Sequence, residues 1–256
     1  MSPIQEGLPQ RVLVTGGASG IGLAVARLFV TAGSSVGILG RSKDRLDLAV
    51  EELAASATGS VVPVAADVTD EAALSGAIDE VAATIGGIDA LVTCAGIEGE
   101  MGAACGEVTA EGFREVLDIN VVGTFLAIKH SLPYLTASET PSITMIGSDS
   151  GFVAVPGMLA YNASKGALVQ MTRALAFELY DAHGIRVNSI CPSIVDTPMA
   201  RRAMGDEEID RAEFPLQSAD DVAWSVGYLA SKRSKAVNGA NLLSDFGYTG
   251  RSSFPA

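Results

Sequence analysis

Residues 11–22 decide the fold: they read Arg11-Val12-Leu13-Val14-Thr15-Gly16-Gly17-Ala18-Ser19-Gly20-Ile21-Gly22. The apolar, β-branched run at 11–15 predicts a buried strand, and the apolar residues that follow the glycines predict a helix. A strand, a glycine-rich turn and a helix bring backbone N–H groups up to a pyrophosphate. Glycines are needed because a Cβ would block the turn or the approach of the phosphate. The stretch therefore predicts a dinucleotide site, with an ordinary structural turn as the alternative.

The same alternation of strand and helix continues along the chain. Further strands are predicted at 35–39, 61–65, 88–93, 143–146, 185–190 and 239–244. Helices are predicted at 43–55, from Thr69 or Asp70 to about 85, at 109–135, around Tyr161, and at 220–231. This order predicts the α/β class, with residues 1–256 forming a single doubly wound domain around a parallel sheet of about seven strands.

Chemistry-bearing residues follow several of these strands. In a doubly wound sheet, ligands bind at the carboxyl ends of the strands, and Arg41, Asp67, Gly96, Ser148 and Pro192 all fall there. The second strand ends without the acid that would accept hydrogen bonds from the ribose of NAD. Because a guanidinium pairs well with phosphate oxygens, Arg41 favours NADP, and NAD is the alternative.

Tyr161 and Lys165 are four residues apart and would share one face of a helix. A phenol titrates near pH ~10, which is too high for good proton transfer at neutrality. A neighbouring ammonium favours the phenolate and lowers such a pKa. Ser148, from a nearby strand end, could then hold the substrate oxygen. The alternative is a chance pair on an amphipathic helix.

Composition excludes several classes of protein. Of the 256 residues, 48% are hydrophobic and 18% charged, which argues against disorder. The net charge of −13 argues against nucleic acid or an anionic membrane surface as a partner. Cys94, Cys105 and Cys191 are an odd number without metal-like spacing, so we expect no metal site and a reduced protein. Residues 1–7 do not resemble a signal peptide, and no apolar run could span a membrane, so a cytoplasmic location is expected.

With these residues in place, the chain resembles the short-chain dehydrogenase/reductase family over essentially its whole length. The pattern Thr15-Gly16-x-x-x-Gly20-x-Gly22 matches the family's cofactor motif, Asp67 its adenine-ring aspartate, and Asn120, Ser148, Tyr161 and Lys165 its catalytic tetrad. The resemblance implies a Rossmann fold and a cofactor-binding set comprising Gly16, Ser19, Gly20, Ile21, Gly22, Arg41, Asp67, Val68, Ala95, Gly96, Tyr161, Lys165, Pro192, Ile194 and Thr197.

The resemblance also implies a role for each catalytic residue. Tyr161 would be the general acid/base, and Ser148 would orient and polarise the substrate oxygen. Lys165 would bind the nicotinamide ribose and lower the pKa of the phenol, and Asn120 would help to hold a water that relays protons to Lys165. The implied activity is reversible hydride transfer between a nicotinamide and a secondary alcohol or ketone. A non-catalytic, cofactor-sensing or scaffold protein on the same fold is the alternative.

Three positions depart from the family pattern without removing a catalytic group. Cys94 replaces an asparagine whose amide normally steadies the sheet. Ser193 replaces a glycine, which places a side chain near the nicotinamide. Phe246 also replaces a glycine, and could shape the substrate site or a subunit contact.

Several expectations concern the substrate and the assembly. Candidate pocket residues are Ile97, Ser148, Val155, Met158, Leu159, Ser193 and Met199, which suggest a moderately apolar small molecule as the partner. The charged, helix-like stretch at about 198–215 is expected to form a substrate lid. The resemblance implies a homo-oligomer, a tetramer or a dimer, formed by the helices of Asn120 and Tyr161. An apolar stripe around Phe125, Ile128 and Leu132 permits this.

Overall fold

The computed structural model describes residues 7–250. Its centre is a parallel seven-stranded sheet in the order β3-β2-β1-β4-β5-β6-β7. The order reverses between β1 and β4, which opens a crevice at the carboxyl ends of the strands. The α/β doubly wound fold is confirmed, while residues 1–6, on which the signal-peptide expectation rests, lie outside the described residues. The strands are β1 (Arg11–Thr15), β2 (Ser35–Gly40), β3 (Ser60–Ala65), β4 (Ala90–Thr93), β5 (Ser142–Ile146), β6 (Arg186–Pro192) and β7 (Asn241–Ser244).

Helices cover both faces of the sheet, and an apolar core lies under each layer. They are α1 (Gly20–Thr31), α2 (Lys43–Ala54), α3 (Glu71–Ile85), α4 (Ala110–Leu117), α5 (Gly123–Thr136), α6 (Leu159–His183), α7 (Pro198–Met204), α8 (Asp206–Asp210) and α9 (Ala219–Ala230). On one face, α1, α2 and α9 bury Phe29, Leu46 and Val226. On the other, α3, α5 and α6 bury residues that include Ile78 and Leu168.

The register of the central strands aligns their carboxyl ends. Thr15 in β1 pairs with Leu39 in β2 and with Thr93 in β4, and Ile146 in β5 pairs with Ile190 in β6. The segments that follow these strands therefore start at one edge of the sheet. This alignment brings together residues that are far apart in the sequence.

Some element boundaries differ from the sequence prediction. The helix expected at 109–135 is divided into α4 and α5 by a π-helical turn, Asp118–Val122. Cys191 and Pro192 belong to β6, because their pairing with β7 continues to Ser244. The last strand begins only at Asn241, since Gly239 has a φ of 74°, which no strand residue adopts. No helix within residues 7–250 has the length and apolar character needed to cross a bilayer.

Candidate active site

Tyr161 and Lys165 lie in the first two turns of α6, on the same face. The Lys165 Nζ atom is 5.4 Å from the centre of the Tyr161 ring and donates a hydrogen bond of 2.9 Å to the Ile146 carbonyl at the end of β5. The lysine side chain is buried. Its ammonium is therefore held against the phenol by the sheet edge, in the arrangement that the four-residue spacing predicts.

Ser148 follows β5 and begins a single 3₁₀ turn, Asp149–Gly151. Its Oγ atom accepts a hydrogen bond from the Ser150 N–H and donates one to Asp149 Oδ1, both at 3.1 Å. The turn packs closely on α6, because a Cβ on Gly151 would lie only 2.8 Å from the Lys165 carbonyl oxygen. This packing places the serine beside the helix that carries Tyr161 and Lys165.

Asn120 is buried in the π-helical turn, and both polar atoms of its side chain form hydrogen bonds within the protein. Its Nδ2 donates to the Ile97 carbonyl and to Ser164 Oγ, both at 3.0 Å, and its Oδ1 accepts from the Ile97 N–H at 2.8 Å. An asparagine has a poor helix propensity, and this one is buried with its side chain hydrogen-bonded. It ties the segment after β4 to α6.

In the glycine-rich turn between β1 and α1, the backbone lies too close to neighbouring backbone atoms to leave room for side chains. Gly16 has a φ of 66°, and a Cβ on it would lie 2.8 Å from the Ala95 nitrogen. A Cβ on Gly22 would lie 2.2 Å from the Gly16 carbonyl oxygen. Ser19 precedes α1 without a side-chain capping bond, so the first N–H groups of the helix are left for another acceptor. The turn therefore fits a pyrophosphate.

Arg41 and Asp67 line one cavity of about 500 Å³, together with Thr69, Glu111, Arg114, Glu115, Asp118 and Ile119. The Arg41 Nη1 atom is 3.8 Å from Asp67 Oδ2, and 64% of the arginine side chain is exposed. Burial raises the pKa of Asp67, but hydrogen bonds from Thr69 and the charge of Arg41 outweigh it and hold that pKa below its ordinary value. The carboxylate is thus ionised and faces a guanidinium that is largely exposed.

The segment after β6 reaches back to the glycine turn. Thr197 caps α7 by accepting a hydrogen bond from the Ala200 N–H, and its Cβ would be 3.4 Å from a Cβ on Gly20. Val195 forms an isolated bridge with Gln217, which closes the two ends of the 198–215 segment on each other. Thr197 is therefore close to the turn, and the Ile194 carbonyl accepts a hydrogen bond from the Gln217 N–H. Val68, Ala95 and Pro192 also follow or end strands at this edge.

The predicted pocket residues come from three segments at this edge. The loops after β4 and β5 meet where the Gly102 N–H donates to the Gly157 carbonyl, and the Val155 carbonyl accepts from Asn162 beside Tyr161. Arg202 in α7 reaches Glu98, beside Ile97, at 3.3 Å. Ser193 is held at the sheet by its N–H bond to the Ser244 carbonyl. Leu159 lines a second cavity of about 280 Å³, with Cys105, Val108 and Phe113 among its walls.

Cys94 and Phe246, two of the three departures from the family pattern, have distinct surroundings, as does Cys191. Burial raises the pKa of Cys94 to about 12, an effect that Lys165 partly offsets. Burial also raises the pKa of Cys191. Phe246 has a φ of 54°, in the left-handed region that glycine tolerates best, and its side chain is exposed. Within residues 7–250, no group of three or more histidine, cysteine or acidic side chains is placed to hold a metal ion.

Sequence reasoning missed several residues that hold the site together. Thr15 Oγ1 accepts hydrogen bonds from the N–H groups of Cys94 and Ala95, so a hydroxyl steadies the sheet end where an asparagine was missing. Ser164 joins Asn120 to α6. Gln217, which is buried, accepts a hydrogen bond of 2.6 Å from Ser244 Oγ. Thr15 is part of the quoted glycine motif, but nothing in that motif indicates its bonds to Cys94 and Ala95.

Comparison with known proteins agrees with this geometry. A family model described as enoyl-(acyl carrier protein) reductase matches residues 16–249. A curated relative, 2-(R)-hydroxypropyl-CoM dehydrogenase of Xanthobacter autotrophicus, is 36% identical over 93% of this chain and 97% of its own length. The solved structure of levodione reductase has a TM-score of 0.89 and 29% identity, over 95% of this chain and 98% of that one.

Two other solved structures contain a nicotinamide cofactor. ElxO with NADP bound has a TM-score of 0.85 and 28% identity, over 94% of this chain and 99% of that one. A 3-oxoacyl-[acyl-carrier protein] reductase from Brucella melitensis with bound NAD has a TM-score of 0.83 and 30% identity, over 96% of this chain and 95% of that one. The glycine turn and the open start of α1 fit such a cofactor. The chain belongs to the short-chain dehydrogenase/reductase family of NAD(P)-dependent oxidoreductases that act on alcohol and ketone groups.

Proposed function

We propose that the residues of this site catalyse reversible hydride transfer between a nicotinamide and a secondary alcohol or ketone, with Tyr161 as the general acid/base. The observation that carries the proposal is the buried Lys165 ammonium, held 5.4 Å from the centre of the Tyr161 ring by the Ile146 carbonyl. A buried cation beside a phenol can stabilise the negative charge that the phenol oxygen carries during proton transfer with an alcohol.

Each residue of the tetrad then has a task. In oxidation, Tyr161 takes the proton from the alcohol oxygen, while the hydride leaves the carbinol carbon for the bound nicotinamide. In reduction, Tyr161 returns that proton to the oxygen. Ser148 holds the substrate oxygen, and Lys165 supports the phenolate and the nicotinamide ribose. Asn120 acts by fixing Ile97 and Ser164, since its side-chain groups are already engaged; its backbone remains the candidate for holding a relay water.

We propose NADP as the preferred cofactor, with NAD as the alternative. Arg41 supports NADP because an exposed guanidinium just after β2 could pair with a 2′-phosphate. The nearby Asp67 carboxylate reduces this attraction and is proposed to contact the adenine ring, together with Val68. The glycine turn and the loops with Ala95, Gly96, Pro192, Ile194 and Thr197 would hold the rest of the cofactor.

The substrate is proposed to be a moderately apolar small molecule. Ile97, Val155, Met158 and Met199 are proposed to supply apolar surface around Ser148 and Tyr161, and Ser193 to add one hydroxyl. Residues 198–215 would act as the lid over this pocket, hinged where Val195 and Gln217 pair. We propose that the whole chain, residues 1–256, works as one domain.

A homo-oligomer, a tetramer or a dimer, is also proposed. Val122 and Phe125 are exposed beside the π-helical turn, and Phe177 is exposed on α6. The apolar stripe had suggested that Ile128 forms part of such a surface. Ile128 instead packs into the core beneath α5. A monomeric mass in solution would contradict this part of the proposal. A cytoplasmic location is proposed because Cys94, Cys105 and Cys191 are unpaired.

The test of the proposed function is a fluorescence titration of the purified protein with NADPH and NADH in parallel, followed by a panel of secondary alcohols and ketones. The proposal expects binding of a reduced cofactor and turnover of at least one alcohol and ketone pair. Tighter binding of NADPH supports the role of Arg41, and tighter binding of NADH contradicts it. Binding without any turnover would favour a cofactor-sensing protein instead.

A further inference from the structure

Three polar side chains form a row between the sheet and α6. Ser189 and Cys191 are two residues apart in β6 and so face the same side of the sheet, and Asn241 of β7 pairs with Ser189. The Ser189 Oγ atom is 2.6 Å from Asn241 Oδ1 and 3.4 Å from Cys191 Sγ. The Asn241 Nδ2 atom donates to the Val169 carbonyl of α6 at 3.3 Å. Ser189 and Cys191 are completely buried.

The direction of each hydrogen bond in the row follows from its end at α6. A carbonyl can only accept, so the amide nitrogen of Asn241 faces Val169 and its oxygen faces Ser189. Ser189 gives its single hydrogen to that oxygen and can therefore only accept from Cys191. The thiol is the donor to Ser189, and the lone pairs of its sulfur are left for a donor on the other side.

The other side of the sulfur lies against the segment that carries Ser148. A Cβ on Gly147 would be 2.7 Å from Cys191 Sγ, so a side chain there would collide with the sulfur. Burial raises the pKa of the Cys191 thiol, and a hydrogen bond from the Ser148 N–H offsets part of this rise. The thiol thus accepts from the backbone of Ser148 while it donates to Ser189.

The row ends on α6 one turn after Lys165. Val169 is four residues beyond Lys165 and eight beyond Tyr161. Its side chain also packs on the turn after Ser148, because a Cβ on Gly151 would lie 2.7 Å from Val169 Cγ2. The row therefore connects Ser148, through β6 and β7, to the helix that carries Tyr161 and Lys165.

We propose that Cys191, Ser189 and Asn241 are positioning residues that fix the Ser148 hydroxyl relative to the Tyr161 phenol. The inference rests on the proposed function, in which both groups contact the substrate oxygen. A small displacement of a prearranged group lowers turnover strongly. None of the three residues is among those proposed to bind the cofactor, so their loss should lower kcat and leave cofactor affinity largely unchanged.

The test uses Ser189→Ala, which removes the central hydroxyl of the row, and one alcohol that the wild type oxidises. We expect kcat to fall roughly tenfold, while the dissociation constant of the cofactor stays within about twofold. Circular dichroism and the melting temperature show whether the variant is folded.

Asn238→Ala is the matched control. The Asn238 Nδ2 atom also donates to a carbonyl of α6, that of Ala176, and its Oδ1 atom accepts from the Val187 N–H of β6, both at 2.9 Å. Asn238 therefore joins the same two elements without reaching Ser148. Its substitution should lower the melting temperature and leave kcat near the wild-type value.

Cys191 allows a conservative rescue. Cys191→Ser keeps a group that both donates and accepts, whereas Cys191→Ala keeps neither, so Cys191→Ser should retain more of the wild-type kcat. This comparison remains decisive if Ser189→Ala does not fold. Because the row acts as one unit, Cys191→Ala combined with Ser189→Ala should lower kcat no further than the more impaired single variant.

Several results would overturn the inference. A wild-type kcat in folded Ser189→Ala, or equal kcat values in Cys191→Ser and Cys191→Ala, would contradict it and leave the proposed function intact. An equal loss of kcat in Asn238→Ala would assign the effect to general loosening of α6. Additive losses in the double variant would show that Cys191 and Ser189 do not act as a row. A wild type that turns over no alcohol or ketone would overturn both this inference and the proposed function.

Discussion

The two ends of the cleft differ in how firmly their residues are held. At the catalytic end, Asn120, Ser148 and Lys165 are all buried and bonded to backbone groups of neighbouring elements. At the adenosine end, Arg41 is 64% exposed and has one ion-pair contact at 3.8 Å. The proposed catalytic groups are thus prearranged, whereas the arginine proposed to select the cofactor has few contacts that fix its position.

The largest effect is expected from removing the cation at the catalytic end. In Lys165→Met, the side chain keeps its bulk but loses its charge, so turnover should fall roughly a thousandfold. Steady-state kinetics measures this, with Arg173→Met as the control because it removes an exposed cation from the same helix. If the two variants were equally active, the ammonium would have no part in the chemistry.

A smaller effect is expected at the adenosine end. In Arg41→Ala, affinity for NADPH should fall roughly tenfold to a hundredfold, because one charged contact to the 2′-phosphate is lost, while affinity for NADH should hardly change. Fluorescence titration measures both constants. Lys43→Ala is the matched control, since the Lys43 ammonium is already paired with Asp47 at 2.9 Å. Equal losses of affinity for NADPH and NADH would show that Arg41 does not bind the 2′-phosphate.

The sequence was a good guide to the catalytic end for a physical reason. Strand periodicity and the four-residue spacing of Tyr161 and Lys165 reflect local geometry, which short stretches of sequence encode. The partners of Asn120 could not be predicted in this way. Ile97 and Ser164 reach it through a π-helical turn and the packing of α4 on α6, both of which depend on tertiary structure.

The surface beyond the cleft was harder to predict for a related reason. Ile128 belongs to an apolar pattern that suits either a core or an interface, and only the position of α5 on the sheet places it in the core. The bond between Ser148 and Asp149 depends on the backbone of a three-residue turn, which no periodic pattern marks.

A change in the proposed lid should have a smaller effect than the substitutions of Lys165 and Arg41. Arg201 in α7 contacts Asp196 at 2.7 Å, Asp210 at 3.0 Å and Asp206 at 3.3 Å. These ion pairs connect α7 to α8 and to the residue that precedes Thr197. In Arg201→Gln, the substrate KM should rise several-fold, since exposed ion pairs are individually weak but this one joins three carboxylates. Hydrogen exchange across residues 198–215 should also increase. Unchanged exchange would show that the network does not hold the segment.

The smallest effect is expected from thiol reagents. Burial raises the pKa of Cys94 to about 12 and also raises the pKa of Cys191, so both thiols stay protonated and unreactive at neutral pH. Iodoacetamide should therefore label the exposed Cys105 first. Peptide mapping by mass spectrometry identifies the site, and Cys105→Ser should remove the early label. Rapid labelling of Cys94 with loss of activity would contradict the burial of the catalytic end.

The most direct test of the account compares wild type and Tyr161→Phe under conditions in which both are saturated with cofactor. The substitution removes only the hydroxyl, so cofactor affinity should stay within about twofold while turnover falls roughly a thousandfold. That result would assign proton transfer to Tyr161 and separate it from binding. Turnover that survives the change, with the cofactor bound, would contradict the acid/base role on which the proposed mechanism rests.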